Sequence, residues 1–277
     1  VNYLQVYPPL CYPINLIKAQ RVMLNRCLRL FFIMKVMILS PALISGATSD
    51  VKLMEQKWPF NGIFGRFDES SLQRGFQVYR EVCAACHGIR HISYRDLKGI
   101  GYTNDEIKVI AADYEIVDGP NDEGEMFDRE ALPSDKFVGP YENDKIARLA
   151  NNGAYPPDLS LIVKARANGA DYLYSLLNGY KDYPENFEAS EGMYYNEFYP
   201  GYQIAMPSPL MDDIVEYSDG TEATQEQIAK DVTSFLAWTA EPELEERKSL
   251  GVKTLFFLIL LTIMLLGVKR KIWKDVE

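Results

Sequence analysis

The run CAACH at residues 83–87 constrains this chain more than any other feature. Two thiols separated by two residues, with an imidazole immediately after the second, form the pattern that attaches a c-type haem. Cys83 and Cys86 would add to the haem vinyl groups as thioethers, and His87 would be the proximal iron ligand. A zinc ribbon needs a second cysteine pair, and a thioredoxin-type site needs a βαβ context. The other cysteines, Cys11 and Cys27, lie far upstream, so the pattern predicts one covalently bound haem c per chain.

The N-terminal region resembles a secretory leader. Arg26 and Arg29 precede an apolar stretch that ends in small residues, which predicts a signal peptide at residues 23–47. Residues 1–22 are then an extension upstream of the expected start. Lys35 interrupts the apolar stretch, and a retained membrane helix is the alternative interpretation.

A second apolar segment lies near the C-terminus, from Leu250 to Val268. A helix of this length rises roughly 28 Å, enough to cross the hydrocarbon core of a bilayer. Its one charge, Lys253, is within a turn of the edge, and basic residues follow the segment. Basic flanks stay on the cytoplasmic side, while a buried core helix is the alternative. The predicted parts are an extracytoplasmic haem domain at 48–248, a transmembrane anchor at 249–268 and a cytoplasmic-side tail at 269–277.

The charge of the chain is unevenly distributed. The formal net charge is −10, although the leader and the C-terminal tail are basic. The segment between them is therefore more acidic still. Such a surface repels nucleic acid and attracts a basic protein partner, so we expect no nucleic-acid binding; solubility alone is the simpler explanation.

Hydrophobic periodicity predicts two main amphipathic helices, one before the CAACH run and one near the anchor. The residues on their apolar faces are Leu72, Phe76, Tyr79 and Cys83 in the first helix and Ile228, Val232, Phe235 and Leu236 in the second. The second has a capping box formed by Thr224 and Gln227, and Pro242 ends it. The expected fold is mainly α: a c-type cytochrome domain with long loop insertions, plus one C-terminal transmembrane helix. The predicted helices are Asp68–Val82, Asn104–Ala112, Asn143–Asn151, Asp171–Leu177 and Gln225–Ala240.

The second axial ligand has to come from a soft side chain. The only other histidine, His91, is four residues after His87 and on the same side of the ring. A methionine thioether is the remaining choice. Met206 is favoured because prolines make its loop rigid, with a core methionine as the alternative role. The other methionines considered are Met54, Met126, Met193 and Met211.

From about Trp58 to Trp273 the chain resembles the cytochrome c1 family, the haem subunits of the ubiquinol–cytochrome c oxidoreductase (cytochrome bc1 complex). The segments that carry the resemblance stand in the family's order. They are GFQVYREVCAACH, DGPNDEGEMF, ANNGAYPPDLS, VKARANGADYLYSLL, NEFYPGYQIAMPSPL and AKDVTSFLAWTAEPE.

The resemblance implies roles for further residues. His87 and Met206 would be the axial pair, and Arg166 would lie at a haem propionate with Tyr172 nearby. Pro156 and Pro157 would pack against the haem. Acidic clusters such as residues 118–128 would serve contacts within the complex or the docking of cytochrome c.

The resemblance also implies a function. The chain would pass single electrons from the Rieske iron–sulfur subunit to a soluble c-type cytochrome, beside cytochrome b and membrane lipid, with no catalytic site of its own. Its expected location is a bacterial inner membrane with the haem domain in the periplasm; the alternative is the mitochondrial inner membrane, facing the intermembrane space. A membrane-anchored monohaem cytochrome that shuttles electrons between complexes is the main rival, followed by a peroxidase-like haem enzyme and a zinc module.

Overall fold

The computed structural model describes residues 51–185, 187–188 and 190–274. The predicted signal peptide and the upstream extension lie outside these residues. Within them the regular structure is mainly helical, with two small antiparallel hairpins. The helices are α1 (Glu69–Glu81), α2 (Asn104–Ala112), α3 (Asp144–Ala150), α4 (Gly169–Asn178), α5 (Gln225–Ala240) and α6 (Leu244–Trp273), with 3-10 turns at Cys83–Ala85 and Tyr94–Ile100. The strands are β1 (Glu115–Asp118), β2 (Phe127–Glu130), β3 (Tyr194–Tyr195) and β4 (Gln203–Ile204).

Helix α1 packs directly on α5 at the centre of the domain. Its start is capped by Asp68, and its buried face includes Phe76 and Tyr79. The rings of both residues lie against Phe235 of α5, with centroids 5.5 Å and 5.8 Å away. Gly75 lets the two helices approach, because a Cβ there would lie 2.1 Å from a main-chain oxygen of α5. The predicted helix before the CAACH run is therefore confirmed, and its core face is the one predicted.

Helix α5 has the predicted bounds but differs from the prediction in two respects. The Thr224 side chain accepts from the Gln227 amide at 3.3 Å, whereas the Gln227 side chain donates to Asp231 at 2.9 Å. The predicted capping box is therefore formed on one side only. Residues 231–240 are all buried, so the prediction of a single apolar face was too narrow. Neighbours pack on several sides of the helix, among them α1, α4 and the turn around Gly99.

The shorter helices largely follow the predictions. Helix α2 has the predicted bounds, and Asn143 and Asn151 prove to be the caps of α3. Helix α4 is longer at both ends than expected. The hairpin of β1 and β2 was not predicted, because its strands are largely exposed and show no apolar alternation.

Helix α6 contains the predicted anchor. It runs for 30 residues and is long and apolar enough to cross a membrane. It begins at Leu244, six residues before the apolar segment, and this first residue is buried against the domain. The helix thus joins the domain to the apolar segment without a flexible linker.

Candidate haem site

The CAACH run forms a single tight turn at the end of α1. The Cys83 carbonyl accepts from the amides of Cys86 at 3.1 Å and His87 at 2.9 Å. Both cysteines are free thiols, Cys83 half-buried and Cys86 exposed. Burial raises the pKa of the Cys83 thiol to about 12. The turn therefore presents two thiols and one imidazole from adjacent positions, as the sequence predicts.

The imidazole of His87 is oriented by a backbone carbonyl. Its Nδ1 lies 2.7 Å from the carbonyl oxygen of Pro157. Because a carbonyl can only accept, Nδ1 carries the proton and Nε2 keeps its lone pair. Burial also lowers the pKa of His87, against the opposing influence of the Pro157 carbonyl and Asp158. The side chain is thus held as a neutral imidazole, the form that binds a metal.

The segment that carries Pro157 is fixed to the turn by further hydrogen bonds. The Leu159 amide donates to the Gly88 carbonyl at 2.8 Å, and the Asp158 carboxylate accepts from the Arg90 amide at 2.9 Å. The oxygen that orients His87 therefore belongs to a segment that is itself anchored next to the turn. Such a supporting contact fixes a ligand better than a free loop would.

Met206 lies just after β4 in a half-buried position. Its carbonyl accepts from the Tyr180 hydroxyl at 3.1 Å, which fastens the loop to the segment that follows α4. Of the other downstream methionines, Met126 and Met211 are each 60% exposed and Met193 is 38% exposed. Met206 is thus the least exposed residue of these four methionines. Its role as the second ligand stays a prediction.

Arg166 and Tyr172 lie close together, as the resemblance implies. Burial raises the pKa of Tyr172, and the Arg166 guanidinium opposes this rise through its charge and a hydrogen bond. Arg166 is exposed, and among the described residues no carboxylate lies within ion-pair distance of it. An unneutralised guanidinium of this kind suits an anionic group such as a propionate.

The donor set fits a covalently attached haem: two free thiols in one turn, a neutral imidazole with an open nitrogen, and a half-buried thioether. The structure does not add a contact for Pro156, which is half-buried. Pro157, predicted to pack against the haem, also contributes the carbonyl described above.

Comparison with known proteins identifies the group to which this chain belongs. Residues 58–276 match the model of the Cytochrome C1 family. The chain belongs to the cytochrome c1 family. The resemblance stated from the sequence is thereby confirmed, as is the mainly helical fold with one C-terminal apolar helix.

Several cytochrome c1 relatives are similar over most of their length. "Cytochrome c1 1, heme protein, mitochondrial" of Arabidopsis thaliana is 53% identical over 219 residues, which cover 79% of this chain and 71% of that protein. "Cytochrome c1" of Rhodospirillum rubrum is 49% identical over 243 residues, covering 82% and 89%. "Cytochrome b-c1 complex catalytic subunit, mitochondrial" of Candida albicans is 51% identical over 221 residues, covering 79% and 77%.

Two residues that support the candidate haem site were not predicted from the sequence. The Tyr79 hydroxyl donates to the His87 carbonyl at 3.1 Å, and the Tyr180 hydroxyl donates to the Met206 carbonyl at 3.1 Å. The sequence predicts Tyr79 only as a member of the apolar face of α1. The signal for its second role was its spacing, because it lies on the face that leads directly to the turn.

Proposed function

We propose that this chain is the haem-carrying, one-electron-transfer subunit of a ubiquinol–cytochrome c oxidoreductase, the cytochrome bc1 complex. It would receive electrons from the Rieske iron–sulfur subunit and pass them to a soluble c-type cytochrome. The observation that carries the proposal is the His87 ring, held by the Pro157 carbonyl directly after two free thiols, in a member of the cytochrome c1 family. Relatives named as heme proteins and as a subunit of the b-c1 complex support it.

Haem c supplies a one-electron iron couple when it is bound. The residues of this chain hold and tune it. Cys83 and Cys86 provide the two covalent attachments, and His87 offers Nε2 to the metal. Met206 would supply the second side-chain ligand to the iron, and a thioether ligand would favour reduced iron and raise the reduction potential. Arg166 offsets propionate charge, which acts in the same direction. With His87 and Met206 both bound to the iron, the chain would transfer electrons without an acid, a base or a nucleophile.

We infer that the neighbours of this chain are cytochrome b, the Rieske subunit and membrane lipid. Membrane association is supported by α6 and by the family. The proposed membrane is a bacterial inner membrane, with residues 48–248 in the periplasm, residues 249–268 as the anchor and residues 269–277 on the cytoplasmic side. The support is the single secretory leader predicted at 23–47. The mitochondrial inner membrane is the alternative, and the similar proteins include bacterial and mitochondrial ones.

The rival function is an anchored cytochrome that shuttles electrons between complexes. The long separation of His87 from Met206 argues against it, because small carriers place the methionine nearer the haem motif. The intervening chain contains α2, α3, α4 and the exposed hairpin, surface that a multi-subunit assembly can use.

Purification in mild detergent tests the proposal against this rival. We expect the chain to co-purify with cytochrome b and a Rieske protein, and ubiquinol to reduce its haem in that preparation. Subsequent transfer to a basic soluble cytochrome should slow as salt screens the acidic surface. Recovery of the haem-loaded chain alone, with no reduction by ubiquinol, would favour the shuttle. Ready carbon monoxide binding by the reduced protein would favour an open iron and a peroxidase-like enzyme.

A further inference from the structure

A compact loop at residues 59–66 presents two large apolar side chains to the outside. The Arg66 amide donates to the Pro59 carbonyl at 3.0 Å and closes the loop. At its tip, Ile63 is 69% exposed and Phe64 is 81% exposed. Adjacent apolar side chains this exposed at a closed loop tip usually mark a contact surface.

The base of this loop is rigid. The rings of Trp58 and Phe60 are stacked at 5.4 Å, and Phe60 lies 5.0 Å from Phe67. The Trp58 indole donates to the Asp171 carboxylate of α4 at 2.7 Å. Gly65 allows the tight return, because a Cβ there would lie 2.0 Å from a main-chain oxygen of the loop. The position of the tip is therefore fixed relative to the core of the domain.

The loop is also fastened to the start of α6. The Lys248 ammonium donates to the carbonyls of Phe60 at 2.7 Å and Gly65 at 3.1 Å. The Phe67 amide donates to the Glu245 carboxylate at 3.1 Å. Lys248 precedes the apolar segment at Leu250 by two residues, or about 3 Å along a helix axis. The loop thus lies at the level where α6 would enter a bilayer.

We propose that Ile63 and Phe64 insert into the interfacial layer of the phospholipid bilayer beside α6. The side chains of α6 are exposed along most of the apolar segment, so the same bilayer would contact both α6 and the loop tip. Arg66 follows the tip. Its Nε lies 3.9 Å from the Glu245 carboxylate, but its side chain is 81% exposed, so the guanidinium can also reach lipid phosphate groups. The tip then gives the domain a second point of attachment and sets its orientation over the membrane. This inference rests on α6 being the membrane anchor.

Spin-label accessibility tests the insertion. The haem-loaded full chain, with Cys11→Ser and Cys27→Ser so that only the introduced thiol reacts, is placed alone in phosphatidylcholine–phosphatidylglycerol vesicles. The label is attached at Phe64→Cys. Matched labels on Phe256→Cys of α6 and Leu149→Cys of α3 give the lipid and water references; these residues are 64% and 85% exposed. Collisions with oxygen and with a water-soluble nickel complex are compared. We expect the label at 64 to lose nickel access relative to 149 and to gain oxygen access toward the value at 256.

Failure of the loop to insert and failure of α6 to span the membrane give different results. A label at 64 that is as open to nickel as at 149, while 256 is in lipid, overturns the insertion and leaves the anchor intact. Protection at 64 that appears only in a complex with other subunits also overturns it, because the occupant is then protein. Nickel access at 256 means that α6 itself does not span, and the inference falls with it. The haem spectrum of the same sample reports separately on the proposed function.

A second variant tests the fastening to α6. Lys248→Leu removes the ammonium that holds the two loop carbonyls. We expect the label at 64 to become more mobile and its nickel access to rise, while the label at 149 stays unchanged. An unchanged signal at 64 would overturn the role of Lys248 in placing the tip.

Discussion

Asp231 is the buried charge that holds α1 against α5, and replacing it by asparagine tests that packing. Its carboxylate is fully buried. It accepts hydrogen bonds from Ser71 at 2.6 Å, Arg74 at 2.8 Å and Gln227 at 2.9 Å. Asp231→Asn preserves the size of the side chain but leaves the Arg74 guanidinium without its buried counter-ion.

The expected loss of stability is large. Removing one partner of a buried ion pair costs about 3–5 kcal/mol. Arg74 keeps a second carboxylate, that of Asp219, at 2.7 Å, and its side chain remains 15% exposed. Both features offset part of the loss, so we expect the lower end, about 3 kcal/mol. With a urea dependence of about 2 kcal/mol per molar, the unfolding midpoint falls by about 1.5 M.

Urea titration of the haem-loaded full chain in detergent, followed by far-ultraviolet circular dichroism, measures this shift. Asp219→Asn is the matched control, because it removes the exposed carboxylate of the same guanidinium and should move the midpoint less. An equal or smaller shift for Asp231→Asn would show that the buried carboxylate contributes no more to stability than the exposed one, contrary to this prediction.

Three further predictions concern the packing of α1 on α5, the stability of the fold at low pH, and the haem. Gly75→Ala should lower the free energy of unfolding by about 1–3 kcal/mol, because the added Cβ would lie 2.1 Å from a main-chain oxygen of α5. Gly99→Ala should lower the free energy of unfolding very little in the same urea titration, because its added Cβ would lie 3.4 Å from the Trp238 ring, an ordinary contact distance. Equal losses for the two variants would contradict the close approach of α1 and α5 at Gly75. The Thr221 amide and the Arg74 guanidinium hold the pKa of Asp219 at about 2 instead of 3.8. This carboxylate therefore stabilises the fold above pH 3.8, and the contribution disappears as the pH falls through 2. Asp219→Asn should reduce the change in the free energy of unfolding between pH 3.8 and about 2. The same pH dependence in the variant as in the unmodified chain would contradict this prediction. Met206→Leu should leave haem attached and lower the reduction potential in a redox titration; an unchanged potential would assign the ligand elsewhere.

Helix positions could be predicted where local chemistry specifies both ends. Thr224 at the start and Pro242 beyond the end gave α5 its bounds, and the apolar spacing before the CAACH run did the same for α1. The turn itself was predictable because a covalent attachment needs its residues adjacent in sequence. Such signals are local, and a single sequence contains all of them.

Contacts made by the backbone or over long separations could not be predicted. The carbonyl that orients His87 belongs to the main chain and could come from any residue, so the side chain of Pro157 does not indicate this contact. Lys248 binds the carbonyl of Phe60, which is 188 positions away in the chain. The β1–β2 hairpin buries little on either face and therefore lacks the alternation by which strands are recognised.

The intact mass of the mature chain shows whether haem is covalently attached to Cys83 and Cys86. The chain should be expressed in a cell that has haem-attachment machinery and then purified under denaturing conditions, which remove any group held only by coordination. We expect the polypeptide mass plus one haem, and a haem spectrum that survives denaturation. A mass equal to the polypeptide alone, with the visible absorbance lost on denaturation, would contradict this expectation.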